Sequence, residues 1–267
     1  DMGYTHGKNR LWSWDSNAPE DRAPSMGANL GHDAMGAHVA DWNQDGHPDI
    51  YLSATAANVL LVSQPDGSLV DMTRVTDADP MFGRTDPELM GWGGIFADHD
   101  NDGLQDLFVT LGDWWDEPGG ARPELGLYML RSNGETFASI GPEVGIDAQG
   151  SFRGVLARDF NHDGVLDFMV STVFGRPLWF VSNGCTAQNW VEIEAPESSR
   201  ITVTTANTTQ VGWATTNSGF GAIAPPIAHF GLGEETTIEK IEVILPGGSK
   251  YTMTVPVEAR RSITVRP

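Results

Sequence analysis

Three stretches of this sequence place carboxylates where a cation that prefers oxygen ligands would need them. They are Asp41-Trp42-Asn43-Gln44-Asp45-Gly46-His47-Pro48-Asp49, Asp98-His99-Asp100-Asn101-Asp102-Gly103-Leu104-Gln105-Asp106 and Asp159-Phe160-Asn161-His162-Asp163-Gly164-Val165-Leu166-Asp167. All three fit D-x-[DN]-x-D-G-x-x-D, and their starts lie 57 and 61 residues apart. Side chains at positions 1, 3 and 5 converge when a chain curls around a point. Glycine at position 6 permits the sharp turn, because it has no Cβ to obstruct a positive φ. The carbonyl of position 7 can then face inward, and the Asp at position 9 closes the shell. Such an all-oxygen site suits Ca2+, which takes 6–8 oxygens, better than Mg2+, which keeps its waters. The expected ligands are the side chains of Asp41, Asn43, Asp45 and Asp49 with the carbonyl of His47. In the second copy they are Asp98, Asp100, Asp102 and Asp106 with the carbonyl of Leu104. In the third they are Asp159, Asn161, Asp163 and Asp167 with the carbonyl of Val165.

A metal-free set of Asp/Asn/Gly turns is the bland alternative. Three copies with an acid at every one of positions 1, 5 and 9 argue against it, because unscreened carboxylates in one loop repel. An EF-hand also fails. Its loop ends in a bidentate Glu at position 12, where this chain has Leu52, Val109 and Val170. Cys185 is the only cysteine, so no thiolate cluster exists to select zinc or copper.

The elements that must hold these loops are strands. Each loop follows a short Gly-containing apolar run: 35–40, 90–97 and 152–157. Each precedes a β-rich run: Ile50-Tyr51-Leu52-Ser53, Leu107-Phe108-Val109-Thr110 and Phe168-Met169-Val170-Ser171. Later strands are expected at Asn58-Val59-Leu60-Leu61-Val62 and Leu127-Tyr128-Met129-Leu130, followed by the turns Pro65-Asp66-Gly67 and Ser132-Asn133-Gly134. Residues 190–267 alternate polar and apolar over short runs such as Ile201-Thr202-Val203-Thr204 and lack a helical stripe, which predicts a small antiparallel β domain.

On these residues the chain resembles the FG-GAP/VCBS repeats of integrin α-subunits and secreted bacterial proteins. Residues 90–110 carry the closest likeness. The tail, with Asn189-Trp190-Val191-Glu192-Ile193, His229-Phe230-Gly231-Leu232-Gly233 and 238–248, resembles the ASPIC/UnbV domain that follows such repeats in cartilage acidic protein and its bacterial relatives. The tail departs from that pattern over 198–225, where Ser198-Ser199-Arg200-Ile201 stands in place of a Gly-rich turn. The resemblance implies an all-β fold of β-propeller blades, about three and a half of them in this chain. It implies a propeller part over 1–188 with three calcium loops and an ASPIC/UnbV-like β domain over 189–267. It also implies an extracellular, calcium-binding and adhesive setting. A full ring of that family has about seven blades, so the remaining blades are expected from another chain, a precursor fragment or self-association. The aromatic strand Leu11-Trp12-Ser13-Trp14 is expected to pair with β-structure, and nothing before it reads as a polar cap.

Charge narrows the function. The 267 residues hold 16 Lys+Arg and 36 Asp+Glu, a net charge of −20. Residues 1–190 hold 28 of the acids and 10 of the bases, so the loops lie in the acidic part. Such a surface repels phosphates, which excludes nucleic acid as the expected partner. No run reaches the ~18 apolar residues of a membrane span. The first residue is Asp1, so compartment is read from the chemistry: millimolar extracellular calcium would fill even weak loops.

The leading expectation is a non-catalytic, calcium-binding extracellular scaffold for adhesion, surface display or assembly, with a protein or glycan at the cell surface as partner. A carbohydrate-binding module using Trp114 and Trp115, in the acidic insertion 112–120, is the alternative. A secreted propeller enzyme is the third, with Glu88, His32 and Asp113 as its first candidates. Nothing in the sequence joins those three, and no GxSxG or P-loop pattern is present. His38 reads as a locally satisfied histidine.

Overall fold

The computed structural model describes residues 8–13, 18–55, 57–83, 89–114, 125–184, 186–216, 219–254 and 256–266. A hairpin of β1 (Trp12–Ser13) and β2 (Glu20–Asp21) opens the chain, followed by the one-turn helix α1 (Ala23–Met26). The first blade is an antiparallel meander of β3 (Ala34–Ala40), β4 (Asp49–Ala54), β5 (Val59–Ser63) and β6 (Leu69–Asp71). The second repeats it with β7 (Leu89–Ala97), β8 (Asp106–Asp113), β9 (Leu127–Ser132) and β10 (Phe137–Ser139). The third has three strands, β11 (Phe152–Arg158), β12 (Asp167–Thr172) and β13 (Leu178–Phe180).

Period-2 alternation decides what each blade faces. In β5, Leu60 and Val62 join Tyr51, Leu107 and Val109 in the core between blades one and two. Val59 and Leu61 point the other way, toward Ala23 and Ala28, with Leu11, Met26 and Leu30 packed alongside. In blade two, Phe108 and Met129 take the opposite face from Leu107 and Leu130 and meet Phe152, Phe168 and Val170 of blade three. The N-terminal segment therefore covers the outer face of blade one. A cap is present where none was expected, built from small apolar residues rather than polar ones. Trp12 and Ser13 do pair with β-structure, but the strand they join is the local β2; Trp14 lies outside the described residues.

Beyond blade three come β14 (Asn189–Glu194), β15 (Ser199–Thr204), β16 (Thr209–Ala214), β17 (Ile227–Gly233), β18 (Thr237–Ile238), β19 (Lys240–Ile244), β20 (Lys250–Met253), β21 (Val257–Glu258) and β22 (Arg261–Thr264). They form the sheets β17-β14-β22 and β16-β15-β19-β20 and the pair β18-β21. Val191, Ile193, Ile201, Val203, Phe230 and Val243 fill the core that these sheets share.

The five larger sheets form a propeller-like ring. The inner strands β3, β7 and β11 lie side by side. Together with β14, β16 and β17 they enclose a central cavity. This corrects the expected architecture. The fold is all-β and built of blades, with five sheets in the ring rather than three and a half blades, and no separate C-terminal domain is shown among the described residues. The C-terminal strands supply two of the five sheets, and their Arg200 and His229 reach the acidic loops of the blades.

Candidate metal centre

Each acidic loop is the hairpin that joins the first two strands of its blade. The position-9 Asp opens the second strand and pairs with the residue just before position 1: Ala40 with Asp49, Ala97 with Asp106, Arg158 with Asp167. Backbone geometry repeats as well. Position 4 is left-handed in all three, at Gln44 (φ 58°), Asn101 (φ 62°) and His162 (φ 60°). Position 6 is glycine with φ of 86°, 93° and 89° at Gly46, Gly103 and Gly164, a conformation that other residues adopt only with strain.

One hydrogen-bond scheme recurs. The position-1 carboxylate accepts from the glycine N–H: Gly46 to Asp41 at 3.0 Å, Gly103 to Asp98 at 2.8 Å, Gly164 to Asp159 at 2.7 Å. The position-5 carboxylate accepts from the N–H of position 7: His47 to Asp45, Leu104 to Asp102 and Val165 to Asp163. The position-9 carboxylate accepts from position 2, namely Trp42, His99 and Phe160. Its second oxygen accepts from the end of the third strand or from two residues beyond it: Ser63 to Asp49 at 2.9 Å, Ser132 to Asp106 at 2.8 Å, Ser182 to Asp167 at 2.7 Å. This last bond is a role the spacing does not reveal: position 9 staples the loop to the sheet.

Positions 1 and 9 are buried. Asp41, Asp98 and Asp159 are 4%, 1% and 2% exposed, and Asp49, Asp106 and Asp167 are fully buried. Burial pushes Asp41 and Asp49 up to about 6, with Asp45 adding repulsion to both. Burial and then Asp106 raise Asp98 well above the usual carboxylate range. Asp41 keeps one buried oxygen, Oδ1, without a hydrogen-bond partner, and Asp100 does the same. The donor set is thus oxygen-rich, short of positive charge and incompletely satisfied, which fits a hard cation.

Loop two gathers its groups most closely. Asp98, Asp100 and Asp102 each bring an oxygen within 4.8 Å of the others, and His99, Asp100 and Asp106 form a second such group. His99 Nδ1 contacts Asp106 Oδ2 directly, and Arg131 pairs with Asp100. Loops one and three carry an amide at position 3 and offer one acid fewer. There Asn43 and Asn161 donate to Asp45 and Asp163 at 3.0 and 2.8 Å.

The loops are also tied to one another. Gln44 Nε2 donates to the carbonyl of Gly103 at 2.6 Å, and Asn101 Nδ2 to the carbonyl of Gly164 at 2.8 Å. Position 4 of one loop thereby holds position 6 of the next. Arg200 of β15 reaches the carbonyl of Gly46 at 3.4 Å and completes the circuit. His229 Nε2 meets Asn101 Oδ1 at 2.7 Å. Nothing in the repeat pattern singles out Gln44, Asn101, Arg200 or His229. The shared position 4 of the first two is the one signal the sequence held.

The other expected site residues fall elsewhere. Trp114 stacks on Trp92 with ring centres 6.4 Å apart, and Trp92 is covered by Arg153 at 3.8 Å. Trp114 therefore packs against its own blade. Trp115, Glu88 and Cys185 lie outside the described residues. His38 is buried with Nε2 3.3 Å from Ser53 Oγ, and burial lowers it to about 4, as a locally satisfied histidine should behave.

Comparison with known proteins agrees with this architecture. The FG-GAP-like repeat family matches residues 98–170, and the ASPIC and UnbV family matches residues 198–267. Cartilage acidic protein 1 of Mus musculus is 26% identical over 257 residues, which is 91% of this chain and 38% of that protein. Its Homo sapiens counterpart is 26% identical over 249 residues, 88% of this chain and 36% of that protein. The chain spans less than two fifths of the length of these curated relatives. It carries an FG-GAP-like repeat and an ASPIC/UnbV segment, and it is a distant homologue of cartilage acidic protein 1.

Proposed function

We propose that the chain is a non-catalytic, calcium-stabilised extracellular scaffold, with a cation at each of the three loops. The observation that carries this reading is the identical carboxylate scheme in all three hairpins, with buried acids at positions 1 and 9. Side-chain oxygens of positions 1, 3, 5 and 9 and the carbonyl of position 7 would hold the ion. A bound cation offsets the mutual repulsion of the carboxylates and supplies the partner that Asp41 Oδ1 lacks.

A scaffold also needs a surface to offer. Blades one and two have four strands and blade three has three. Its outer strand β13 leaves Trp179 54% exposed, its ring 5.0 Å from and tilted 45° to that of the exposed Phe160, with Val181 58% exposed just beyond. A strand edge with no neighbour among the described residues, lined with apolar side chains, suits addition of a strand from a protein partner or a second copy. Adhesion or assembly at a cell surface is the role we assign to it.

Calorimetric titration of the EDTA-stripped chain with Ca2+ tests the cation reading. Three sites and a melting temperature that rises with Ca2+ are expected; at 100-fold excess over Kd each site adds about 2.7 kcal/mol. A stripped chain that takes up no Ca2+ and melts at the same temperature in Ca2+ and in EDTA would overturn it.

A further inference from the structure

The five sheets meet around a central cavity of about 150 Å3, a volume that in other proteins accommodates one six-membered ring. Its wall mixes polar and apolar surface, the apolar part including Phe96, Trp213 and Phe230. Glu192 of β14, His229 of β17 and Arg158 at the end of β11 form one polar group on it, with His38, Asp98 and Gln105 also on the wall. The side chains of Glu192 and His229 are 4% and 7% exposed.

The hydrogen bonds of this group are incomplete. Glu192 Oε2 accepts from Ser262 Oγ at 3.0 Å, but among the described residues the buried Oε1 has no hydrogen-bond partner. Arg158 Nη1 and His229 Nδ1 stand 3.8 and 3.9 Å from it, beyond hydrogen-bond reach. Asn101 commits its amide nitrogen to Gly164, so its oxygen accepts and His229 Nε2 must donate. A neutral imidazole then turns a bare, buried Nδ1 toward a carboxylate. A protonated one carries a donor that stops 3.9 Å short. In both states a partner is missing, and buried polar atoms of native proteins have partners. Burial works to raise Glu192, but His229, Arg158 and Ser262 outweigh it and hold it below the usual carboxylate range. It is an anion at neutral pH.

The chemistry of the gap selects its occupant. A guanidinium 3.8 Å from the carboxylate disfavours a metal ion or an ammonium group, and the carboxylate disfavours an anion. A hydroxyl donates to one acceptor and accepts from one donor. Two neighbouring hydroxyls serve Oε1, Nδ1 and Nη1 together, while the carbon face of a ring lies against Trp213 or Phe230. Glu192 and Arg158 cancel in charge, and Asp98, the other carboxylate on the wall, faces the second cation loop and accepts from Gly103. We propose that the hub is a binding site for a small neutral polyol no larger than one sugar ring, held by Glu192, His229 and Arg158.

Saturation-transfer NMR on the full chain in Ca2+ tests this, with D-glucose, D-galactose, myo-inositol and glycerol as probes. Saturable binding of at least one is expected, weakened at least tenfold in Glu192→Gln and in Arg158→Met and unchanged in Trp114→Ala. The Ca2+-induced rise in melting temperature should survive in Glu192→Gln, which separates this site from the cation loops and shows that the variant folds. Binding of none of the four probes, a cavity that holds only water, or binding that persists in both hub variants would overturn the proposal.

Discussion

At the second loop Asn101 is fully buried and Gly103 is closed over; at the first, Gln44 and Asp45 face water while Asp41 and Asp49 are as deep as their counterparts. The two loops share motif, backbone and carboxylate scheme, so the difference comes from their places in the ring. Loop two has a blade on either side and the C-terminal sheets above it: Gln44 enters from one side, Gly164 receives Asn101 on the other, and His229 reaches down. Among the described residues, loop one has blade two on one flank and one long hydrogen bond, from Arg200, on the other. The motif sets the shape of the site, and the neighbours set how deeply it is held.

Removing the position-9 acid gives the largest test of that difference. Asp106→Ala strands two buried N–H donors and frees His99. With about 1–3 kcal/mol for each orphaned donor and about 2–4 °C per kcal/mol, a fall in melting temperature of roughly 10 °C is expected by calorimetry. Asp49→Ala strands two donors and has no histidine partner to lose, so its fall should be smaller. Equal losses would show that the motif alone decides stability.

A finer test compares position 4. Asn101→Ala removes a buried side chain that joins loop three to His229 and should cost about 1–3 kcal/mol. Gln44→Ala removes a bond from an exposed side chain and should cost about 0.5–1.5 kcal/mol. Urea denaturation resolves the two; a Gln44→Ala variant that loses as much as Asn101→Ala would make the first loop as tightly held as the second.

The smallest effect concerns pH. Asp41 and Asp49 rise from 3.8 to about 6 without a cation. A carboxylate raised on folding stabilises the fold below its unfolded value and loses that contribution as pH climbs through the folded one. The EDTA-treated chain should therefore lose stability between pH 4 and pH 6. The gain from Ca2+ should be larger at pH 7.5 than at pH 5, and the pH 5 deficit should shrink in Asp41→Asn. A Ca2+ gain that is flat with pH would place the titrating pair outside loop one.

Much of this was legible in the sequence because it repeats. The three loops announce themselves by acid spacing, and β5 by the continuous apolar run Val59-Leu60-Leu61-Val62, buried on both faces. What was hidden is what occurs once. Arg200, Gln210 and His229 are single polar residues in ordinary β-runs, yet they bond across to the loops or to a neighbouring strand, and so 189–267 read as a domain of its own. The N-terminal cover rests on Ala23 and Ala28, whose small side chains signal nothing until Leu61 and Leu69 are seen against them. Blade three misleads in the same way. Its Ser182-Asn183-Gly184 copies the Ser132-Asn133-Gly134 turn that leads into β10, but the next strand belongs to another sheet.

The contact between Arg200 and Gly46 joins residues 154 positions apart. Each blade can form from a local hairpin, but this contact waits until three sheets stand in order between its ends. Long-range pairings of this kind bear their loop-closure entropy before they repay it, and chains that depend on them fold slowly. The ring should therefore assemble as an arc that grows blade by blade and closes last, with β15 arriving on the first loop as the final step. A nascent chain would hold that arc open until β22 at Arg261–Thr264 had emerged to complete the sheet beside β15, with its first acidic loop facing a gap rather than a neighbour.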